Sequence, residues 1–148
     1  MNKRGFTMIE LIVVVALIGI IMVLAMPAFL SYWRTSTLRA GAEEFAAALN
    51  GARQIAIKEN QTVCVKNNAG SVRYAIGSCG STTFYTGAGT DPSGWIRMQN
   101  SVTVSGGTDV TFTYLGAADT AGTYTVTNPV NNSTLTVTVA ASGRVTIP

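Results

Sequence analysis

Twenty consecutive residues without a charged side chain, 11–30, restrict what this chain can fold into more than any other feature of its sequence. A helix that rises about 1.5 Å per residue covers about 30 Å over such a run, which matches the hydrocarbon thickness of a bilayer. Lys3 and Arg4 precede the run. The positive-inside rule therefore places the N-terminus in the cytoplasm and the later residues on the far side of the membrane. We expect one transmembrane helix.

A cleaved secretory signal peptide is the alternative interpretation of the same run. Pro27 and Ala28 loosely resemble the residues at a signal-peptide cleavage site. A signal peptide has a shorter apolar region, however, and the residues after this run continue as a helix-compatible sequence. We therefore favour a segment that is retained over one that is removed.

The composition argues against catalysis. The 148 residues include no histidine, which is the commonest general acid or base and the commonest metal ligand. Two cysteines are too few for a cysteine-based zinc site, and the sequence has neither a G-x-S-x-G elbow nor a phosphate-binding loop. We expect no enzyme activity, no metal site and no cofactor.

Glu10 is the anomaly at the start of the apolar run, because a carboxylate is costly to bury without a partner. One interpretation places it at the membrane interface in the first turn of the helix, where the helix dipole favours a negative charge. The other interpretation requires a cut after Gly5. This cut would create a cationic amine at Phe6, which Glu10 of a neighbouring subunit neutralises inside a packed bundle.

The N-terminal string KRGFTMIELIVVVALIGII resembles the signature of type IV prepilins and type II secretion pseudopilins, with a basic leader, Gly5, Phe6 and Glu10 in the matching places. The resemblance implies that a prepilin peptidase cuts between Gly5 and Phe6 on the cytoplasmic side and methylates the new amine. It implies further partners: other major and minor pilins or pseudopilins that contact the N-terminal helix, an inner-membrane assembly platform, and membrane lipid before assembly. Pilus and secretion subunits share these features, so the choice between the two machines stays open.

Gly19 and Pro27 resemble positions at which helices of this class bend or locally unwind in the assembled fibre. A proline inside a helix removes a hydrogen bond and clashes with the preceding turn, so a kink near Pro27 is expected on physical grounds as well. The alternative is a membrane helix that simply tolerates its proline.

The helix is expected to continue to about residue 59, with an amphipathic second part over residues 31–60. Apolar side chains recur there at steps of four and three, which places them on one face of a helix; they are Leu38, Ala42, Phe45, Leu49, Ala52 and Ala56. We expect this face to pack onto a small domain. A coiled-coil seam is the alternative, but the stripe is short and rich in alanine.

Short alternating segments separated by Gly, Asn, Asp and Pro predict strands over residues 61–148. They lie at 61–66, 71–76, 94–98, 101–105, 110–115, 122–127, 134–140 and 144–147. The predicted fold class is therefore α+β and pilin-like: a long N-terminal helix packed on a small, mostly antiparallel β-sheet domain. The predicted organisation is a cleaved leader at 1–5, a transmembrane helix at 6–30, an amphipathic helix at 31–60 and an exported β-rich domain at 61–148.

Cys64 and Cys79 fall in the part of the chain that we expect on the oxidising, periplasmic side. A disulfide between them would close a loop of about 16 residues and stabilise the fold by about 3 kcal/mol. Two free buried thiols are the alternative if the flanking strands do not meet.

A second resemblance covers the mature chain. The stretch ARQIAIKENQTVCV at residues 52–65, Gly94-Trp95-Ile96 and Gly143-Arg144-Val145 resemble the GspH/FimT family of minor pilins and pseudopilins. This resemblance implies a low-abundance structural subunit at or near the fibre tip that primes assembly.

DNA uptake is the alternative function, because some FimT-like minor pilins bind DNA through a Gly-Arg-x-Arg motif. Gly143 and Arg144 match this motif, but Thr146 stands where the second arginine would be. The loss of one phosphate-contacting charge weakens such a site. Arg144 is therefore only a possible DNA contact, and DNA is not the partner we favour.

Overall fold

One α-helix, α1 (Met8–Glu59), begins and ends at recognisable capping motifs in the computed structural model, which describes residues 6–148. Thr7 precedes its first turn. At the other end Asn60 adopts a left-handed φ of 50°, and its N–H donates to the carbonyl of Ile57 while that of Gln61 donates to the carbonyl of Ala56. This pair of bonds is a Schellman motif, which ends a helix by satisfying its last carbonyls. The predicted cleavage residue Gly5 lies outside the described residues.

The contacts divide the chain into two units, one up to Arg34 and one that comprises Thr35–Pro148. In the first unit every described residue is exposed. The helix continues through Gly19 and Pro27 without interruption, so the predicted bend at these positions stays a prediction. The apolar part of α1 is long and apolar enough to cross a membrane.

The second unit combines the rest of α1 with nine strands in two antiparallel sheets. The strands are β1 (Val63–Asn68), β2 (Ser71–Ile76), β3 (Trp95–Arg97), β4 (Thr103–Ser105), β5 (Val110–Phe112), β6 (Ala118–Thr120), β7 (Gly122–Thr127), β8 (Thr134–Val139) and β9 (Val145–Thr146). One sheet has the order β3-β2-β1-β5-β6 and the other the order β4-β7-β8-β9. The predicted α+β fold with a helix packed on antiparallel sheets is confirmed.

The apolar stripe of α1 forms the centre of the core. All six predicted stripe residues are buried, and Phe45 packs edge-on against the ring of Tyr124 at 5.0 Å between centroids. Gly41 extends the stripe, because a Cβ atom there would lie 2.5 Å from a methyl group of Val102. The absence of a side chain at Gly41 therefore lets the helix approach the sheets closely.

Two differences from the predicted strands concern the region around β5. The strand predicted over 110–115 ends at Phe112, because the next residues form a tight turn in which the N–H of Gly116 donates to the carbonyl of Thr113. The strand β6 was not predicted. Its Ala118-Asp119-Thr120 sequence has little intrinsic β-propensity, and its pairing with β5 places it in the sheet.

Candidate functional site

The helix start brings Thr7 and Glu10 into a capping box. Oε2 of Glu10 accepts hydrogen bonds from the backbone N–H of Thr7 at 3.0 Å and from its hydroxyl at 2.8 Å. The N–H of Glu10 donates in return to Oγ1 of Thr7 at 3.3 Å. Such reciprocal bonds satisfy the free N–H groups of a first helical turn. Within a single chain, Glu10 therefore lies in the first turn of α1, the position that the helix-dipole interpretation gives it.

The surroundings of this carboxylate are apolar. Glu10 lines a shallow surface hollow with Phe6, Ile9, Val13 and Val14, and the side chain of Phe6 is 76% exposed. Glu10 is the only charged side chain of residues 6–33. If other apolar surfaces cover this segment, the carboxylate requires a cation from outside the segment.

Gly19 lines a second exposed hollow on the same helix, together with Ala16, Ile20, Val23 and Leu24. A Cβ atom built on Gly19 would meet nothing within 4 Å. Glycine is therefore not required at this position by any contact of the described residues. A close approach by another helix would use this space, as small residues do at helix interfaces in membranes.

Two of the family motifs, the 52–65 stretch and Gly143-Arg144-Val145, meet at Gly116. Neither motif predicted a role for Gly116. Nε of Arg53, from the 52–65 stretch, donates to the carbonyl of Gly116 at 2.7 Å. Gly143 packs on the same carbonyl so closely that a Cβ atom there would overlap it, and its φ is +77°. The glycine of the Gly-Arg-Val motif is thus required by packing and by conformation. Arg144, the next residue, is exposed.

The Gly94-Trp95-Ile96 motif also has a structural explanation. The guanidinium of Arg73 lies 3.7 Å from the ring centre of Phe84 and 4.5 Å from that of Trp95. Oδ1 of Asp91 accepts bonds from the N–H groups of Ser93 at 2.8 Å and Trp95 at 2.9 Å. Cation–π contacts and the Asp-centred turn fix this loop, so Arg73 serves the fold and is not a free basic contact.

Cys64 and Cys79 form a disulfide, with their Cα atoms 5.1 Å apart. Cys64 lies in β1 opposite Ala75 of β2, and Cys79 lies in the segment that directly follows β2. A carboxylate oxygen of Asp109 lies within 4.8 Å of both sulfur atoms, but a metal would need thiolates, and the disulfide removes them.

Comparisons with known proteins agree with both motif regions. A family model described as type II transport protein GspH matches residues 41–143, and a model of the prokaryotic N-terminal methylation motif matches residues 1–26. Two curated relatives from Pseudomonas aeruginosa, both named fimbrial protein, are 38% identical over 81 residues. The match covers 54% of this chain and 51% of each relative, so the chain spans about half the length of the curated relatives it matches.

Solved structures share the fold. The type IV minor pilin FimU of Pseudomonas aeruginosa matches with a TM-score of 0.57 and 17% identity, over 79% of this chain and 92% of that chain. The minor pseudopilin EpsH from the type 2 secretion system of Vibrio cholerae matches with a TM-score of 0.53 and 11% identity, over 72% and 92%. Escherichia coli GspH matches with a TM-score of 0.51 and 16% identity, over 76% and 88%. None of these matches supports the DNA-binding alternative.

Proposed function

Because this chain belongs to the type II transport protein GspH family, we propose that it is a minor pilin or pseudopilin. It is a structural subunit that initiates or caps a type IV pilus or a type II secretion pseudopilus. The observation that carries the proposal is the fully exposed apolar part of α1, which begins within a methylation motif and continues into the packed domain. A helix that is apolar on all sides requires a membrane or other helices around it.

Before assembly, the apolar part of α1 spans the inner membrane in contact with lipid. The basic leader holds the N-terminus in the cytoplasm, and the Thr35–Pro148 unit lies in the periplasm. A prepilin peptidase removes the leader between Gly5 and Phe6 and methylates the amine of Phe6. The assembly platform and the other pilins or pseudopilins are the partners of the mature chain.

During assembly, Glu10 neutralises the Phe6 amine of a neighbouring subunit within the helix bundle. The capping box supports this step, because it holds the carboxylate beside Phe6 at the hollow described above. An uncompensated charge in such a low-dielectric environment costs several kcal/mol, whereas a well-placed opposite charge offsets most of that cost. The pairing thus selects subunits in the correct axial register.

A pair of variants separates this role from helix capping. Glu10→Ala removes both the charge and the cap, whereas Thr7→Val removes the hydroxyl of the cap and keeps the carboxylate. We expect Glu10→Ala to lower incorporation into sheared fibres at least tenfold, while Thr7→Val incorporates within about twofold of the natural chain. Both variants should retain cleavage after Gly5 and the folded domain.

Quantitative mass spectrometry of sheared fibres and envelopes provides the measurement. Equal loss of incorporation for both variants would show that Glu10 acts only as a helix cap. Normal incorporation of Glu10→Ala would remove the proposed neutralisation. Mature protein that does not begin at methylated Phe6 would contradict the pilin function itself.

A further inference from the structure

The outer face of the sheet that contains β1, β2 and β3 carries neighbouring cationic side chains. Lys66 of β1 lies opposite Arg73 of β2, and Arg73 lies opposite Trp95 of β3. Side chains alternate between the two faces of a sheet. The adjacent residues Val65 and Val72 are fully buried in the core. Lys66, Arg73 and Trp95 therefore form one row on the face opposite the core.

A second row of the same face adds another cation. Asn68 of β1 lies opposite Ser71 of β2, and Ser71 lies opposite Arg97 of β3. The side chain of Arg97 is exposed. Within residues 6–148, neither Arg97 nor Lys66 forms an ion pair. The two rows thus present positive charge that no carboxylate of the described chain neutralises by direct contact.

A cavity of about 580 Å³ opens on the second row and on the loop that precedes β3. Its lining includes Asn68, Ser71, Asp91, Trp95 and Arg97. Small-molecule sites in proteins usually have volumes of roughly 300–1,000 Å³ and combine aromatic side chains with a few polar groups that converge. This lining brings one aromatic ring together with an amide, a hydroxyl, a carboxylate and a guanidinium.

Four polar groups of the lining have no hydrogen-bond partner among residues 6–148. Three of them are the side-chain amide of Asn68, the hydroxyl of Ser71 and the guanidinium of Arg97. The fourth is Oδ2 of Asp91, because the turn bonds from Ser93 and Trp95 go to Oδ1. Donors and acceptors that could bind a polar ligand are therefore present side by side.

The aromatic ring of the cavity is held in place by the fold. The backbone of Trp95 is fixed by its pairing with Arg73 and by the bond to Asp91. The guanidinium of Arg73 lies over the indole at 4.5 Å and over the ring of Phe84 at 3.7 Å. Its Nε atom is buried without a partner, so ring contacts hold this guanidinium. A ring that is already fixed loses little conformational freedom when a ligand packs on it.

We propose that this cavity binds a saccharide in which a pyranose ring carries a carboxylate. Trp95 packs against the apolar face of the ring, and the guanidinium of Arg97 binds the carboxylate. Oδ2 of Asp91 accepts hydrogen bonds from the hydroxyls, and Asn68 and Ser71 provide further polar contacts. The site goes beyond fibre assembly, because it gives the Thr35–Pro148 unit a contact with acidic glycans.

Asp91 favours a sugar over a nucleic acid as the ligand. A chain of phosphates would place several negative charges beside this carboxylate and would offer few hydroxyl groups to its Oδ2 atom. A neutral sugar would leave the guanidinium of Arg97 without a counter-ion. Lys66 and Arg73 add to the positive potential that attracts an anion to the cavity. The combination therefore selects one carboxylate next to several hydroxyls.

Two test ligands that differ only in charge provide the measurement: trigalacturonate and its methyl ester. The full-length Trp33→Phe chain is used in zwitterionic detergent micelles without sugar head groups. Trp95 is then the remaining one of the two tryptophans, so its fluorescence reports binding at the cavity. We expect a Kd below about 1 mM for trigalacturonate. The methyl ester should bind about tenfold more weakly, because it loses the charge-assisted bond to Arg97.

Two variants in this background separate the roles of the polar groups. Arg97→Gln should weaken binding of trigalacturonate about tenfold and leave the methyl ester within about twofold. Asp91→Asn keeps an oxygen for the turn bonds and should weaken both ligands about fivefold, because it removes an acceptor of hydroxyl bonds. Arg144→Gln is the matched control, since this arginine is exposed and outside the cavity. It should change neither affinity.

A disaccharide of N-acetylglucosamine and N-acetylmuramic acid distinguishes two sources of the same chemistry. Tighter binding than that of trigalacturonate would support a cell-wall glycan as the ligand, and weaker binding would support a uronate polymer. Absence of binding by both would overturn the proposal. So would equal affinity for trigalacturonate and its methyl ester, an unchanged affinity in Arg97→Gln, or tighter binding of a thymidine hexanucleotide.

Fibre incorporation separates this site from the proposed function. Arg97→Gln and Asp91→Asn should be cleaved after Gly5 and incorporated into fibres as the natural chain is, because both side chains are exposed and far along the chain from the apolar part of α1. Loss of glycan binding alone would count only against the cavity. Loss of processing in the natural chain would count against the pilin function and would leave the binding result intact.

Discussion

The two parts of α1 differ in how their apolar side chains are distributed around one continuous helix. Up to Arg34 every described residue is exposed, although most of them are apolar. From Leu38 to Ala56 the helix buries one stripe, in which Phe45 and Leu49 are 0% exposed. The first part is apolar around its whole circumference, and the second is apolar on one face only. This difference in pattern decides whether the covering surface comes from the same chain or from outside it.

The two parts of the molecule also differ in how far packing within the chain stabilises them. Burial of apolar area against the sheets stabilises the Thr35–Pro148 unit, whereas the described residues of the first unit gain no such burial within the chain. We therefore expect substitutions in the second part of α1 to affect unfolding, and those in the first part to affect only membrane insertion and assembly.

The largest expected effect comes from a matched pair of phenylalanines on the same helix. Phe45→Ala should lower the free energy of unfolding by about 3–5 kcal/mol, because it leaves a cavity beside the buried ring of Tyr124. Phe29→Ala should change it by less than about 0.5 kcal/mol, because Phe29 is 60% exposed. Denaturant titration of the full-length chain in detergent micelles, followed by near-UV circular dichroism, measures both. Similar effects for the two variants would contradict the division of the helix.

The disulfide gives a smaller effect that is also confined to the second unit. Cys64→Ala/Cys79→Ala removes a bond that closes a loop with a sequence separation of 15 residues. The expected loss is about 3 kcal/mol in the free energy of unfolding, chiefly because the unfolded chain is no longer constrained. The same titration detects it, and carbonate extraction of envelopes should show unchanged membrane association. If the double variant unfolds at the natural midpoint, the bond does not stabilise the unit.

Much of this architecture could be predicted from local pattern. The stripe from Leu38 to Ala56 and the strands β2 and β7 follow from periodicity, because helices and strands place side chains on a face at fixed intervals. The capping box at Thr7 and Glu10 is equally local. In each case the information lies within a few residues.

The remaining features depend on contacts between distant residues. Tyr114 and Leu115 have strand-like side chains, yet the turn closed by Gly116 places them in solvent. Arg53 reaches Gly116 across 63 positions, and no local pattern indicates that meeting. Gly41 is buried because Val102 approaches it, although glycine contributes nothing to an apolar pattern. Tertiary packing overrides local propensity at these places.

The smallest expected effect is a pH dependence of the free energy of unfolding of the Thr35–Pro148 unit. Burial, with a smaller contribution from the nearby Tyr85, raises the pKa of Tyr74 to about 12, whereas a tyrosine in the unfolded chain titrates near pH 10. The native state therefore binds the phenolic proton more tightly, so this contribution is complete below about pH 10 and declines as the pH rises from there towards 12. Burial likewise raises the pKa of Tyr124, in the same direction.

Between pH 9 and pH 11 we expect the free energy of unfolding to fall by about 1 kcal/mol on account of Tyr74. Tyr74→Phe should lower stability at pH 9 by about 1 kcal/mol, because it removes the hydrogen bond that the hydroxyl donates to the carbonyl of Ala48 at 2.9 Å. The same variant should also lose the part of the pH-dependent fall in unfolding free energy that Tyr74 causes. The part that Tyr124 contributes should remain. Urea titrations of the full-length chain at both pH values measure the slope. If Tyr74→Phe retains the whole natural slope, the buried hydroxyl of Tyr74 does not cause it, and the decline must come from groups outside this core.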